Sequence, residues 1–367
     1  MVDRLLPVAF LGLPLLTWVE PRKTPASIFD LGFYLTPLIG LLAFGLVLVA
    51  WRCVAPWSRP VAAFAAYAGV STVWSVAPED AAWVVLGCVL IATVAQGASR
   101  WMLLGLLVLG CLEVGVQVLQ VVGVMPFKGW LTDARIPHGT FGNPRYLGAA
   151  LAGITPLAPP ILLPVFVVGV VLSQSFGAWL GVLVALLVRF RSHWRLILPL
   201  AALALVAILG FRSNGFVWRE LYLGTPNERL AMLTASLILW PTTVWTVLFG
   251  HGLGSWFPQV GARLNQYHAH NEPVQALYEL GLVGVGLLGW ALWSHRRLIL
   301  GSPALLALGI VSLTISPFHF GAVAVVVCGV LGVEACGTGW HSQPVRSTSL
   351  PSWRLPSCTA ANPLVIR

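Results

Sequence analysis

Apolar residues run through this chain in long stretches, cut by short polar turns. Hydrophobic and polar positions do not alternate with a period of two. The runs therefore predict helices and not the strands of a barrel. A helix that crosses a bilayer needs about 20 mostly apolar residues. Stretches of that kind occur at 5–19, 31–50, 60–77, 81–98, 101–124, 144–158, 160–173, 175–189, 195–211, 271–294, 299–316 and 318–335. The expected fold is all-α, a polytopic transmembrane helical bundle of about 12 spans. The first stretch is kept as a helix. Asp3 and Arg4 make a poor positive leader, and no small-residue cleavage site follows directly.

Composition agrees with this pattern. Of the 367 residues, 58% are hydrophobic and 9% are charged, against about 25% charged in a soluble domain. So few charges cannot cover a water-facing surface of this size, which excludes soluble enzyme folds, disorder and secreted disulfide scaffolds as the main architecture. The six cysteines show no C-x-x-C spacing, and several fall within spans, so disulfides and zinc are not expected. The formal charge is +9, with Lys23 and Lys128 the only lysines. The basic residues lie mostly between apolar runs, where they set topology and meet anionic lipid. No basic run with interleaved aromatics stands outside the spans, so nucleic acid is not an expected partner.

Loop charge sets the orientation. With the N-terminus inside, the cytoplasmic loops hold Arg52, Arg59, Arg100, Arg189, Arg191, Arg195, Arg296 and Arg297. The outer side receives the turn Glu79-Asp80 and two long loops, 125–143 and 212–270. Arg22 and Lys23 are the main exception. Residues 1–336 then form one transmembrane domain. Residues 337–367, rich in Ser, Pro, Thr and Arg, form a disordered cytoplasmic tail.

Polar chemistry is concentrated in the outer loops. Loop 125–143 holds Lys128, Asp133, Arg135 and His138, and Arg145 follows. Loop 212–270 holds Arg219, Arg229, His251, Arg263, His268 and His270 among others. Arginine forks match phosphate oxygens, so a lipid-linked phosphate is the expected ligand class. In Gly139-Thr140-Phe141-Gly142-Asn143-Pro144-Arg145, Asn143 suits an N-cap and Pro144 a first helical position. The helix dipole there favours an anion beside Arg145. Thr225-Pro226-Asn227-Glu228 has a capping-box pattern and predicts a short amphipathic helix over 226–240. Leu230, Leu233, Leu237 and Trp240 form its apolar stripe, with Arg229 opposite, at the outer membrane surface.

His268-Ala269-His270-Asn271-Glu272-Pro273 precedes the span that starts at Val274. His270, Val274, Leu277, Gly281 and Gly284 recur at three to four residues and predict one helix face, its glycines open to a close neighbour. A histidine at such a lip suits acid–base work. His268 and His270 would point apart on a helix, and no carboxylate completes a ligand set, so no metal is expected. Gly250-His251-Gly252-Leu253-Gly254 reads as a tight turn returning the chain to the membrane, and not as a phosphate loop.

Together these segments resemble the O-antigen ligase family, whose superfamily includes O-antigen polymerases and protein O-glycan ligases. The resemblance covers roughly residues 60–335. It rests on Gly139 to Pro144, on Arg229 with Leu233 as an Arg-x3-Leu motif, and on His270-Asn271, nine residues, then Gly281-Leu282-Val283-Gly284. The chain departs from the family in one place. Ser173-Gln174-Ser175-Phe176-Gly177 puts Phe176 where relatives carry an arginine, while Arg145 stands where many have a neutral residue.

The resemblance implies a metal-independent glycosyltransferase of the bacterial inner membrane, without cofactor, its active site facing the periplasm. Its donor is a glycan on polyprenyl (undecaprenyl) diphosphate. The acceptor is a hydroxyl of lipid A core, another glycan or a protein. Arg229 and His270 are the implied catalytic residues. Arg229, Arg135 and Arg145 would bind the donor diphosphate, supported by His138, Asn143, His268, Asn271 and Glu272. Polymerisation of repeat units is the alternative activity, and a flippase or transporter is a more distant one. A transporter predicts charge at mid-membrane, where Glu113 alone qualifies.

Overall fold

The computed structural model describes residues 59–77, 100–124, 137–141, 144–195, 198–199, 202, 225–264 and 269–314, with five residues between 326 and 334. The spans expected at 5–19, 31–50 and 81–98, most of 195–211 and 318–335, and the tail 337–367 lie outside the described residues.

The described residues are mostly helical, with no strand among them. The helices are α1 (Arg59–Ser71), α2 (Arg100–Val121), α3 (Pro144–Ile154), α4 (Leu163–Leu172), α5 (Phe176–Arg189), α6 (Thr225–Leu239), α7 (Val244–Phe249), α8 (Glu272–Ser294), α9 (Arg296–Gly301) and α10 (Pro303–Ser312). Short 3-10 turns prolong α1 over Thr72–Trp74 and α3 over Thr155–Leu157. Leu103–Val121 in α2 and all of α8 are long and apolar enough to cross a membrane.

The main core joins α2, α3, α4, α5 and α10. Leu147, Leu151 and Ile154 of α3 lie buried among Phe166 of α4, Ala178 and Ala185 of α5, and Ala307 and Val311 of α10. Close backbone packing holds helices together where small residues face one another. Between α5 and α10 it does. A Cβ on Gly181 would lie 2.7 Å from the Ala307 carbonyl oxygen, and one on Gly177 would run into the Thr314 side chain. These contacts also fix direction: the start of α5 meets the end of α10, so the two run antiparallel.

A second group joins α1, α7 and α8, and here the helix predicted over 271–294 is interrupted. Gly281 has φ 63° and ψ −166°, a region open essentially to glycine alone. An unbroken helix would pair the carbonyls of Tyr278, Glu279 and Leu280 with the amides of residues 282, 283 and 284. At the break these carbonyls are reached by donors from outside the helix. The His251 amide donates to Tyr278 O at 3.1 Å, and the Gly252 amide to Glu279 O at 2.8 Å. The Tyr67 hydroxyl of α1 lies 2.9 Å from Leu280 O. Gly281 therefore seats the 250–254 turn and does not serve as a step on a smooth helical face. Gly284 keeps the predicted close approach, with a Cβ there 3.0 Å from the Tyr67 ring.

The run 299–316 is likewise two pieces. Ser302 ends α9 in an extended conformation, and its hydroxyl accepts from Leu305 N at 3.1 Å to cap α10. A serine followed by proline is a helix start, and that local signal outweighs the continuous apolar pattern.

The α8 break generates the first test. Tyr67→Phe removes the hydroxyl shared between Leu280 O at 2.9 Å and Phe249 O at 3.0 Å and lowers stability by about 1–3 kcal/mol. Gly281→Ala combines a forbidden backbone angle with a Cβ 2.5 Å from Gly250 N, and the folded protein is lost. Thermal unfolding in detergent measures the first, and monodispersity on size exclusion the second.

Candidate functional site

α8 begins with Asn271 as its N-cap, whose side chain accepts from Val274 N at 3.1 Å. The Asn271 amide group also donates to Leu313 O at 3.3 Å, tying the start of α8 to the end of α10. His270 immediately precedes this cap in a left-handed conformation, φ 53°, unusual for a residue with a side chain.

A buried polar chain fixes that backbone. Ala269 N donates to Gln275 Oε1 at 3.0 Å, and Gln275 Nε2 to Glu279 Oε1 at 3.1 Å. Glu279, fully buried, also accepts from Trp256 N at 3.3 Å. The Trp256 indole then donates to Ser236 Oγ on α6 at 2.8 Å. Apolar packing follows the same route, through Met232, Trp256, Val260, Ala269 and Tyr278. Gln275 and Glu279 were not singled out by the sequence pattern, although they sit four residues apart inside an apolar run.

α6 covers Thr225–Leu239, against 226–240 expected. Met232 and Ser236 face the protein and are buried, while Leu230, Leu233 and Leu237 are exposed. The predicted leucine stripe thus turns away from the rest of the chain. Arg229, three residues before Met232 and on the same side of the helix, is half-buried.

Arg145 stands in the first turn of α3, half-buried. Burial pushes the His270 imidazole down to about 3, and the positive charges of Arg145 and Arg229 add to the effect. Three residues from three separate segments therefore act on one another electrostatically. Glu272 is buried close by, and Tyr146 lies within reach of the charges of both Arg145 and Glu272. His270 is neutral at pH 7, so its ring can take up a proton.

The loop before α3 is clamped onto α2. Thr140 N donates to Glu113 Oε2 at 2.8 Å, and the Thr140 hydroxyl to Glu113 Oε1. The amides of His138 and Gly139 donate to Gln120 Oε1 at 2.9 and 3.0 Å. Gln120 Nε2 returns a bond to Gly139 O at 3.1 Å. Between these two residues, Gln117 donates to Gly169 O of α4 at 3.1 Å. Glu113, Gln117 and Gln120 form a polar stripe at helical spacing on an apolar span. That stripe was legible in the sequence, where only Glu113 drew notice. His138 is buried, and its Nδ1 donates to Gly139 O at 2.9 Å.

Gly250, Gly252 and Gly254 all have positive φ, as a tight turn requires. His251 within it stacks on Tyr278, ring centroids 4.5 Å apart, and its Nε2 donates to Trp240 O at 3.2 Å. Burial holds His251 below the usual histidine range. Phe176 opens α5, 46% exposed and stacked on Trp179.

Arg135, Asn143 and His268 lie outside the described residues. Among the described residues no group of three or more His, Cys, Asp or Glu side chains is placed to hold a metal ion. Neither a protein-family model nor a curated protein matches the chain.

The clamp on the 137–141 loop is directly testable. Glu113→Ala removes both acceptors of Thr140 and lowers stability by about 1–3 kcal/mol. Thermal unfolding, with hydrogen exchange at the Thr140 amide, reads the change. An unchanged midpoint and unchanged exchange contradict the clamp.

Proposed function

We propose that the protein is a membrane glycosyltransferase of O-antigen ligase type. In this reading it is a polytopic inner-membrane protein of about 12 spans with its site facing the periplasm. It transfers a glycan from polyprenyl diphosphate to an acceptor hydroxyl on lipid A core, another glycan or a protein. What supports the reading is that the charges of Arg145 and Arg229, from two separate helices, both act on the half-buried His270. Glu113 is engaged by the Thr140 amide and hydroxyl, and the buried Glu279 by Gln275 and the Trp256 amide, which favours a structural over a transport role for both acids.

The chemistry follows from charge. The acceptor oxygen attacks the anomeric carbon as the bond from that carbon to the diphosphate oxygen breaks. Negative charge grows on the departing lipid diphosphate, and the two guanidinium groups stabilise it in place. The acceptor proton passes to His270, whose ring is unprotonated at rest because burial and the charges of Arg145 and Arg229 disfavour the imidazolium. A bound diphosphate then stabilises the imidazolium as it forms.

A glycan gel of the native host tests the function. Deletion leaves full-length glycan on the lipid carrier and none on the acceptor. Wild type rescues, whereas His270→Ala and Arg229→Ala each lower transfer by about 100-fold or more. Collapse of the chains to single repeats assigns the polymerase activity instead, and an unchanged gel refutes both.

The pH profile tests the role of His270. A base whose free-enzyme pKa is near 3 leaves kcat/KM flat from pH 8 down to about pH 5, with the acid limb below that. An acid limb near pH 6.5 contradicts it.

A further inference from the structure

The end of the bundle opposite His270 carries a basic surface that the proposed donor site does not use. α10 runs antiparallel to α5, and Leu313 at its far end meets the start of α8. The end of α5, the end of α8 and the start of α10 therefore lie together, away from His270. The segments leaving them are Arg191 to Arg195 and α9. Arg191, Arg195, Arg296 and Arg297 are all exposed there. His193 is exposed beside them, and Arg189 is engaged, its guanidinium donating to Pro156 O at 2.9 Å and Ala158 O at 2.7 Å. The acid described at this end is Glu334, bonded to Ser302.

Exposed indoles accompany the exposed arginines. The Arg195 guanidinium lies over Trp194, 5.6 Å from the ring centroid, and that of Arg296 over Trp293 at 4.4 Å. Arg296 also donates to Trp293 O at 2.8 Å, which holds its side chain back along the helix end. Below this rim the helices expose Val188, Trp290 and Leu292. Arginine heads and indoles above an apolar wall form the amphipathic boundary that a lipid headgroup layer occupies.

We propose that this rim binds anionic phospholipid headgroups, with Arg191, Arg195, Arg296 and Arg297 on the phosphate and Trp194 and Trp293 at the headgroup–acyl boundary. A soluble anion would use the guanidinium groups alone and gain nothing from the apolar wall. The assignment does not depend on the reading of the His270 site.

The test uses the purified full chain in neutral detergent, mixed with phosphatidylglycerol or phosphatidylcholine, and counts retained lipid by native mass spectrometry. The wild type retains phosphatidylglycerol preferentially, and 10 mM inorganic phosphate does not displace it (a concentration of about this size screens little). Each Arg→Gln change weakens retention about fivefold. The fourfold variant R191Q/R195Q/R296Q/R297Q falls to the phosphatidylcholine level. The fourfold Arg→Lys variant, which keeps the charge, retains the preference, and Arg229→Gln leaves it unchanged. Equal retention of the two lipids, displacement by phosphate, or a fourfold Gln variant that behaves as wild type overturns the proposal. So does loss of retention in Arg229→Gln.

Discussion

Three successive carbonyls of α8 accept from donors outside their own helix, and much of the second helix group is arranged around those bonds. Gly281 turns the backbone where a side-chain-bearing residue could not follow. The amides of His251 and Gly252 and the hydroxyl of Tyr67 then meet Tyr278, Glu279 and Leu280. In a segment this apolar, an unmet carbonyl costs several kcal/mol, so the break and its partners must form together. The consequence reaches the site. The turn that caps the break brings in Trp256, and Trp256 joins Glu279 to Ser236 of α6. The helix carrying Arg229 is thus positioned by the same interruption that shortens the regular part of α8.

The second organising force is electrostatic. His270 feels the charges of two arginines while its ring is largely shielded from water, an arrangement that disfavours protonation twice over. Among the described residues, Glu272 is the acid buried close to this pair of cations. A dianionic ligand relieves that imbalance, and the proposed donor is such a ligand. The left-handed backbone at His270 stores further strain, held by the Asn271 cap and the Gln275 bond to Ala269.

Much of this was readable in the sequence, and the misses have physical causes. Apolar runs located α1 to α5, because burial or lipid exposure along a whole span leaves an unambiguous pattern. The Thr225-Pro226 start is a local signal and marked its helix to within a residue. Gly281 and Ser302 were read through, since a break stabilised by distant donors leaves no mark beyond one glycine or serine. The leucine stripe of α6 was found, but spacing alone cannot say which side faces protein, and Met232 and Ser236 face it. Gln120, Gln275 and Glu279 were missed, and Glu113 was noticed without its partner Thr140, because a polar residue in a span shows its purpose only once its partner is placed.

The central claim is that burial and two arginines hold His270 neutral at one site. Histidine ring titration by NMR of the labelled protein in detergent tests it most directly, with His270→Gln identifying the signal. The account predicts that the His270 ring stays neutral at pH 5 and that Arg145→Gln with Arg229→Gln moves its titration upward. A ring that titrates near 6.5 in the wild type, unmoved by loss of both arginines, would contradict it.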